Sequence, residues 1–462
     1  FINSATATYF YLQFAGGPVQ IISSDGKDVQ PVKVDRFLMA IAETYDLIVT
    51  VPENGSYEFR ATAQDGSGHT SIFIGSGKRI LAPNVPKPDL YKMKMSMGHS
   101  GMKMPMGSSM DKMPGMVSMN AGNERPLSPY KKLRSVGKST LSKKNPTREV
   151  VLTLTGDMER YIWSINNEIL SANNTIRIRH GENVRFVIIN KTMMHHPMHL
   201  HGHFFRVLNE NGEYSPLKHT VNVPPMQKVT IEFYGNNGDE YGDWFFHCHI
   251  LYHMMGGMAR VVSYDTPRDV RMKGYPVSNL IAETNKYYTW GMIDAASHTT
   301  ALNVISSNIR NQFNLSFEYG WNKNLEAEAT YEYYLHDYLR VFGGVNIENE
   351  TRKSLDQFKT TAVVGVRYLT PYLFALDARI DNELRPRIGL GRSIMLFPRF
   401  SVFGYYEYQI DLGFVNNLPI NKDFTSETVW SAGAEYFLSR NVSLMGSYDN
   451  RFGGGGGLSV RF

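Results

Sequence analysis

Apolar and polar side chains alternate one by one along the C-terminal third of the chain. Between Leu325 and Leu335 every second residue is apolar, and the residues between them are mostly glutamate, threonine or tyrosine. A period of two predicts β-strands, because successive side chains of a strand point to opposite faces. The pattern recurs as far as Phe462, so residues 296–462 are predicted to form an antiparallel β-barrel-like domain of eight to ten strands.

Two interpretations of this barrel-like domain remain open at this point. Its aromatic residues, strict alternation and terminal Phe462 are typical of an outer-membrane β-barrel. A sheet domain surrounded by water would also alternate, with its apolar face turned towards a core.

The preceding part of the chain predicts shorter strands. Residues 1–80 and 147–264 hold short apolar runs separated by Gly, Asn, Asp and Pro turns, which is typical of β-sandwiches. Residues 81–146 and 265–295 are predicted to be linkers. The predicted fold class is therefore all-β, with Greek-key sandwiches of which the first is partial, followed by the barrel-like domain.

The first predicted linker contains a low-complexity stretch, residues 93–119, with ten methionines and His99. Glycines and prolines within it rule out a regular helix. Thioether ligands select Cu(I), so the stretch either binds labile Cu(I) or is a linker without metal.

Composition narrows the possible functions. The 462 residues are 42% hydrophobic and carry a net charge of +5, without a basic run interleaved with aromatics, so nucleic acid is not an expected partner. No window approaches 18 consecutive apolar residues, so no transmembrane helix is expected. The single cysteine, Cys248, excludes a disulfide within the chain and is a candidate metal ligand.

Cys248 lies in one of two dense clusters of ligand-type residues, 195–203 and 247–253. On a strand, His247 and His249 would share one face and Cys248 would take the other. A bonded path therefore runs from the cysteine sulfur to either neighbouring imidazole. His199 and His201 form a similar pair.

Two imidazoles, one thiolate and a weak methionine ligand make up the set of a blue-copper site. Cys248, His253 and Met258 supply three ligands from one segment, and His196 is the candidate for the fourth. Zinc also accepts Cys and His, but structural zinc sites usually use two or more cysteines. Copper is therefore the predicted metal.

The two clusters resemble the third cupredoxin domain of multicopper oxidases, whose motifs are His-Pro-x-His-Leu-His-Gly and His-Cys-His-x3-His-x4-Met. Every motif position is matched, and Thr220–Pro225 is also similar to a family segment. Residues 1–80 resemble the second cupredoxin domain of copper-resistance oxidases, through Phe1–Ser4 and Ala42–Asp46. The Met-rich linker resembles that subfamily too, so the resemblance covers about residues 1–264.

This resemblance implies a copper-dependent oxidase in which type 1 copper takes electrons from a reduced substrate such as Cu(I). The type 1 ligands would be His196, Cys248, His253 and Met258. The resemblance assigns His199 to the type 2 copper and His201, His247 and His249 to the type 3 pair, where dioxygen is reduced. Copper resistance implies the periplasm, with the outer membrane as a further partner if the C-terminal domain is a membrane barrel.

The chain departs from the family in one respect. The family's three-copper cluster needs eight histidines, four of them from two His-x-His motifs of a first domain, and no such motif precedes His199. We therefore expect a fragment that lacks the first domain. Two alternatives remain: a copper-sequestering protein that relies on the Met-rich stretch, and an electron carrier with type 1 copper alone.

The histidines and acidic residues outside the two motifs are expected to have mainly structural roles. His195 and His203 lie outside the ligand pattern and are expected to support the ligands. Asp239, Glu240 and Asp243 could receive a cationic substrate, but turn chemistry around Gly238 and Gly242 is the favoured explanation. Surface or capping roles are expected for His69, His180, His219, His298 and His336.

Overall fold

The computed structural model describes the whole chain except residues 89–124, 158–161, 172–174, 236–241, 265–269, 275, 337, 416 and 421. The Met-rich stretch 93–119, Asp239 and Glu240 therefore lie outside the described residues. The chain divides into two compact units. The first holds residues 1–284 apart from 157–160, and the second holds 285–462 together with 157–160.

The first sandwich consists of β1 Phe10–Phe14, β2 Val19–Ser24, β3 Lys27–Val34, β4 Arg36–Met39, β5 Tyr45–Ile48, β6 Ser56–Ala63, β7 His69–Gly75 and β8 Arg79–Ile80. These strands form two mainly antiparallel sheets, with strand orders β4-β1-β6-β7 and β3-β2-β5, and β8 pairs with β6. Their inward residues, such as Ile21, Phe37 and Leu38, are almost completely buried.

The strands of a second sandwich are β9 Thr147–Asp157, β10 Ile162–Ile165, β11 Thr175–Arg177, β12 Asn183–Asn190, β13 His196–Leu200, β14 Phe205–Val207, β15 Leu217–Lys218, β16 Thr220–Val223, β17 Lys228–Tyr234, β18 Asp243–Cys248 and β19 Ala259–Ser263. They form two sheets, with strand orders β10-β9-β12-β17-β14-β15 and β11-β19-β18-β13-β16. Each histidine motif has part of its residues on the second of these sheets, on β13 or on β18.

Short helices occur between the strands. They are the 3-10 turns Pro129–Lys131, Gly212–Tyr214 and Val270–Gly274 and the α-helices α1 Leu251–Met255 and α2 Val277–Thr284. Among the described residues, no helix is both long enough and apolar enough to span a bilayer.

The end of the predicted linker 81–146 packs into the first unit. Leu133 is fully buried, and the Tyr130 hydroxyl donates a hydrogen bond to Glu43. Asn209 donates to the carbonyls of both Tyr130 and Leu133, each at 2.8 Å. The prolines and lysines of this region are typical of a linker, but the side chains of Tyr130 and Leu133 pack into the core of the first unit.

The second unit is a closed antiparallel barrel of twelve strands. The strands are β20 Tyr288–Ala296, β21 Thr299–Ser307, β22 Asn311–Gly320, β23 Asn324–His336, β24 Leu339–Asn349, β25 Phe358–Leu369, β26 Ala375–Asp381, β27 Pro386–Phe397, β28 Phe400–Asp411, β29 Thr425–Phe437, β30 Val442–Asp449 and β31 Gly453–Arg461. Eight to ten strands had been expected. That number was too low because most of the turns are tight and β20 begins within the range 265–295 assigned to a linker.

The alternation predicted from the sequence is present, and its buried side is the polar one. Along β23, Glu328, Thr330 and Glu332 are buried inside the barrel, whereas Tyr331 and Tyr333 are exposed outside. Arg367 from β25 reaches the same interior and pairs with both glutamates. An ordinary soluble sheet domain has the opposite distribution.

Candidate metal centre

Antiparallel pairing of β13 with β18 brings the two histidine motifs together. In this register Met198 lies opposite Cys248, and His199 lies opposite His247. Because side chains alternate along each strand, Cys248 faces the sandwich core while His247 faces the other way. The single sheet therefore presents two chemically different faces to a metal.

On the core side, three donor atoms form a small triangle. Cys248 Sγ lies 3.7 Å from Nδ1 of His196 and 3.7 Å from Nδ1 of His253, and the two nitrogens are 3.1 Å apart. A point equidistant from all three lies about 2 Å from each, which is the usual length of a bond from a transition metal to nitrogen or sulfur. The donors therefore fit a three-coordinate metal ion, and all three residues are completely buried.

Met258 is joined to the residues of this site through its backbone. Its N–H donates to the carbonyl of His253 at 3.0 Å, and its carbonyl accepts the N–H of Cys248 at 3.1 Å. The side chain of Met258 is fully buried. The preceding Gly257 has φ +113°, and a Cβ there would come within 2.6 Å of Ile169, so only glycine allows this tight return.

Neighbouring groups orient the two imidazoles. The hydroxyl of Thr192 lies 2.7 Å from Nε2 of His196. If Nε2 carries the proton, Nδ1 presents its lone pair to Cys248. The Trp163 ring stacks on His253, with centroids 3.8 Å apart. The directions of both imidazoles are thus set by contacts with Thr192 and Trp163.

Burial controls the protonation of this site. It lowers the pKa of His253 to about 3 and also lowers the pKa of His196, to which the neighbouring His253 contributes. Burial raises the pKa of the Cys248 thiol. Neutral imidazoles are the form that binds metal, and a buried thiolate needs a cation beside it.

On the opposite face, four imidazoles gather at a more open surface. Ring centroids of His199 lie 4.7 Å from His201 and 5.7 Å from both His247 and His249. Nε2 of His201 lies 3.2 Å from Nε2 of His247, close enough for both to bind one ion. His201 is exposed, so a further ligand could approach the group from outside.

Backbone acceptors fix two of these rings. Nδ1 of His199 donates to the carbonyl of His219 at 2.8 Å, and Nδ1 of His247 donates to the carbonyl of Cys248 at 3.0 Å. Each ring therefore keeps Nε2 free for a metal. Burial lowers the pKa of His199 to about 4 and that of His247 to about 3, which keeps both neutral at pH 7.

Two histidines lie outside the motif pattern. His203 bridges the carbonyl of His201, at 2.9 Å, and the hydroxyl of Tyr264, at 2.6 Å. His195 lies 3.0 Å from the side-chain amide of Asn222. His203 thus contacts a residue of the motif, whereas the supporting role expected for His195 stays a prediction.

His219 differs from the surface role expected for it. Its ring is half-buried and lies edge-on to His199, with centroids 5.2 Å apart. Sequence reasoning missed it because its relation to His199 arises from the pairing of β13 with β16. Asp243, the described member of the acidic group, is exposed at the start of β18.

Two regions of the chain are similar to a known protein family. Family models described as multicopper oxidase match residues 1–76 and 143–268. Copper resistance protein A of Escherichia coli is 32% identical over 333 residues, covering 57% of this chain and 54% of that protein. Multicopper oxidase MmcO of Mycobacterium tuberculosis is 30% identical over 263 residues, covering 57% of this chain and 45% of that protein.

The chain thus spans about half the length of the curated relatives it matches. Among solved structures, the laccase from Botrytis aclada aligns over 61% of this chain and 54% of its own, with 18% identity and a TM-score of 0.42. Fet3p, a multicopper oxidase that functions in iron import, aligns over 57% and 54%, with 16% identity and a TM-score of 0.39.

Proposed function

We propose that the chain is the electron-accepting part of a copper-dependent oxidase, because residues 1–76 and 143–268 match family models described as multicopper oxidase. His196, Cys248, His253 and Met258 would hold a type 1 copper. The observation that carries the proposal is the donor triangle of two imidazoles and one thiol, whose dimensions suit a metal ion. Copper bound there would supply one-electron redox chemistry.

The chain would provide a covalent route by which electrons leave this site. His247 and His249 are the covalent neighbours of Cys248 and lie on the opposite face of the sheet. With His199 and His201 they are assigned to the copper cluster at which dioxygen is reduced to water. These four are half of the eight histidines that such a cluster uses, so the proposal requires a further domain with two His-x-His motifs.

Cu(I) is the substrate we propose. The relatives named copper resistance protein A point to copper handling. On this chain, two exposed methionines contact Thr192, the partner of His196, through their backbone. Met194 donates its N–H to the Thr192 hydroxyl at 3.2 Å, and Met226 donates its N–H to the carbonyl of Thr192 at 3.3 Å. Thioethers favour Cu(I), so they would receive the substrate near a ligand of the type 1 site.

The location we propose is the periplasm, with the barrel in the outer membrane. Support comes from the inverted distribution of side chains, with ion pairs inside and apolar residues such as Val364, Val366 and Ile388 exposed outside. Membrane barrels have this arrangement because lipid surrounds them.

The decisive experiment is metal analysis with a visible spectrum of the full chain and of Cys248→Ser. Copper-loaded wild-type protein should show intense visible absorption from the copper–thiolate bond. The variant should lose this colour and one copper per chain, while the exposed control His69→Gln keeps both. Retention of copper and colour by Cys248→Ser would refute the type 1 assignment.

Two alternatives give different results in related measurements. A sequestering protein would bind additional Cu(I) that disappears when residues 93–119 are deleted. An electron carrier would hold one copper per chain and bind none at the four-histidine face, even when a domain with the missing motifs is supplied.

A further inference from the structure

Three ionic side chains meet in the interior of the first unit without access to water. Lys218 Nζ lies 3.2 Å from Asp25 Oδ2 and 3.2 Å from Glu43 Oε1, and it donates to Ser24 Oγ at 2.6 Å. Lys218 belongs to the second sandwich, and the two carboxylates belong to the first. Charges without solvent are costly, so this cluster needs more explanation than stability alone.

The directions of the pKa shifts favour the ionised forms of Asp25 and Lys218, whereas burial raises the pKa of Glu43. Burial favours the neutral form of Asp25, but Lys218 and neighbouring N–H donors outweigh it and lower the pKa of this carboxyl. The pKa of Lys218 is raised, since the two carboxylates outweigh the effect of burial. Asp25 is therefore negatively charged where it contacts the second sandwich.

Asp25 binds the second sandwich through its backbone as well. Asp25 Oδ2 accepts the N–H of His219 at 3.1 Å and the N–H of Thr220 at 3.2 Å, while Oδ1 accepts the N–H of Thr44 at 3.0 Å. Both carboxylate oxygens are thus used, and one of them holds two consecutive peptide groups. The segment 218–220 is fixed from the first sandwich.

The same segment orients His199. The carbonyl of His219 accepts the Nδ1–H of His199 at 2.8 Å, and Thr220 Oγ1 lies 3.0 Å from the same nitrogen. The atoms that define the tautomer of His199 therefore belong to two residues whose N–H groups are held by Asp25. A carboxylate of one sandwich acts on an imidazole of the other through a single peptide segment.

We propose that Asp25 is a positioning residue for His199, keeping its Nδ1 protonated and its Nε2 aimed at the open face. This positioning role follows from the hydrogen bonds of Asp25 to residues 219 and 220 and from their contacts with His199 Nδ1. Its significance for copper rests on the proposed function, which assigns His199 to the oxygen-reducing cluster. Through Asp25, the orientation of His199 would depend on how the first sandwich packs against the second.

The conformation of Asp25 permits a clean substitution. Its φ is +52°, a region in which glycine is unstrained, so Asp25→Gly removes both oxygens without forcing the turn. Lys218→Met is the matched comparison. It removes the buried cation of the same cluster but leaves both N–H contacts of Asp25 available. Asp28→Asn, on an exposed side chain nearby, controls for local sequence change.

The experiment is NMR of the full, metal-free chain labelled with 15N-histidine at pH 7, with the His199 signals identified by their loss in His199→Gln. In wild-type protein, Lys218→Met and Asp28→Asn we expect His199 almost wholly as the Nδ1–H tautomer. In Asp25→Gly the ratio of Nδ1–H to Nε2–H should fall at least threefold, with the signals of His203 and His247 unchanged. Asp25→Asn, which keeps one oxygen, should give an intermediate ratio.

An unchanged tautomer ratio in Asp25→Gly would overturn the inference. An equal change in Lys218→Met would also overturn it, because general loosening would then explain the effect. If Asp25→Gly fails to fold, Asp25→Asn decides, and a wild-type ratio there refutes the proposal. Absence of copper binding would instead count against the proposed function and leave the tautomer result standing.

Discussion

Nδ1 of His196 and Nδ1 of His253 lie 3.1 Å apart although 57 residues separate them in the chain. Two buried ring nitrogens at this distance can share one proton or one metal ion, and Cys248 Sγ stands 3.7 Å from both. The three atoms could therefore bind the same metal ion.

Metal binding at the triangle should release about one proton per ion at pH 7. The lowered pKa values leave His196 and His253 neutral before binding, whereas the raised pKa of Cys248 keeps its thiol protonated. Calorimetric titration with Co(II), which does not oxidise thiols, in buffers of different ionisation enthalpy measures this release. Cys248→Ser should release none, and equal release by that variant would contradict the prediction.

The metal-free first unit should lose stability in mild acid. The pKa of His253 is about 3 in the folded protein, below the usual 6.5, so the unfolded chain binds the extra proton between these values. Stability is therefore highest above pH 6.5 and falls as the pH drops towards 3. From pH 7 to pH 5 the contribution of His253 is about 2 kcal/mol.

Urea unfolding of the full chain at several pH values measures this loss, followed by a fluorescence signal from the first unit. His253→Gln should flatten the dependence by about one bound proton, whereas the exposed His69→Gln should not. An identical slope in His253→Gln and wild-type protein would show that the imidazole is not buried in its neutral form.

Thr192→Val should weaken copper binding at the triangle about 10- to 100-fold, as loss of outer hydrogen bonds to metal-bound histidines usually does. The valine keeps the volume of threonine but leaves Nε2 of His196 without its partner at 2.7 Å. Thr192→Ser retains a hydroxyl and should bind copper nearly as well as the wild type. Competition titration with a chelator provides both affinities, and equal affinities for Val and Ser would disprove the role of the hydroxyl.

Arg367→Met should destabilise the barrel by about 3–5 kcal/mol, the usual cost of breaking a buried ion pair. Arg367 lies 2.8 Å from both Glu328 and Asp377 and also pairs with Glu332, so three carboxylates lose a common cation. The exposed pair Arg352–Glu427 is the control, and Arg352→Met should cost less than about 1 kcal/mol. Thermal unfolding of the second unit distinguishes them.

Val364→Lys tests whether lipid surrounds the barrel. Val364 on β25 and Ile72 on β7 are both 58% exposed. In water, a lysine at either position should therefore change the free energy of unfolding by a similar amount. In a bilayer, Val364→Lys should cost up to about 2–4 kcal/mol, depending on depth, whereas Ile72→Lys should cost little. Folding into lipid vesicles, measured by denaturant titration, reports both. Equal small effects would contradict the membrane location.

The sequence alone determined the local features of this protein. The period of two identified the barrel strands, because alternation is a property of each strand by itself. The spacing of Cys248, His253 and Met258 predicted ligands from one turn, and the matched motif selected His196 as their partner. These predictions required only neighbouring residues or a recognisable pattern.

The tertiary structure decided what depends on pairing between distant segments. Register alone places His199 opposite His247, and the contact between sandwiches alone places Asp25 against His219 and Thr220. Closure of the barrel decided that its glutamates face inwards, since the same alternation fits a sheet of either polarity. Such relations depend on long-range geometry, which no local pattern of residues encodes.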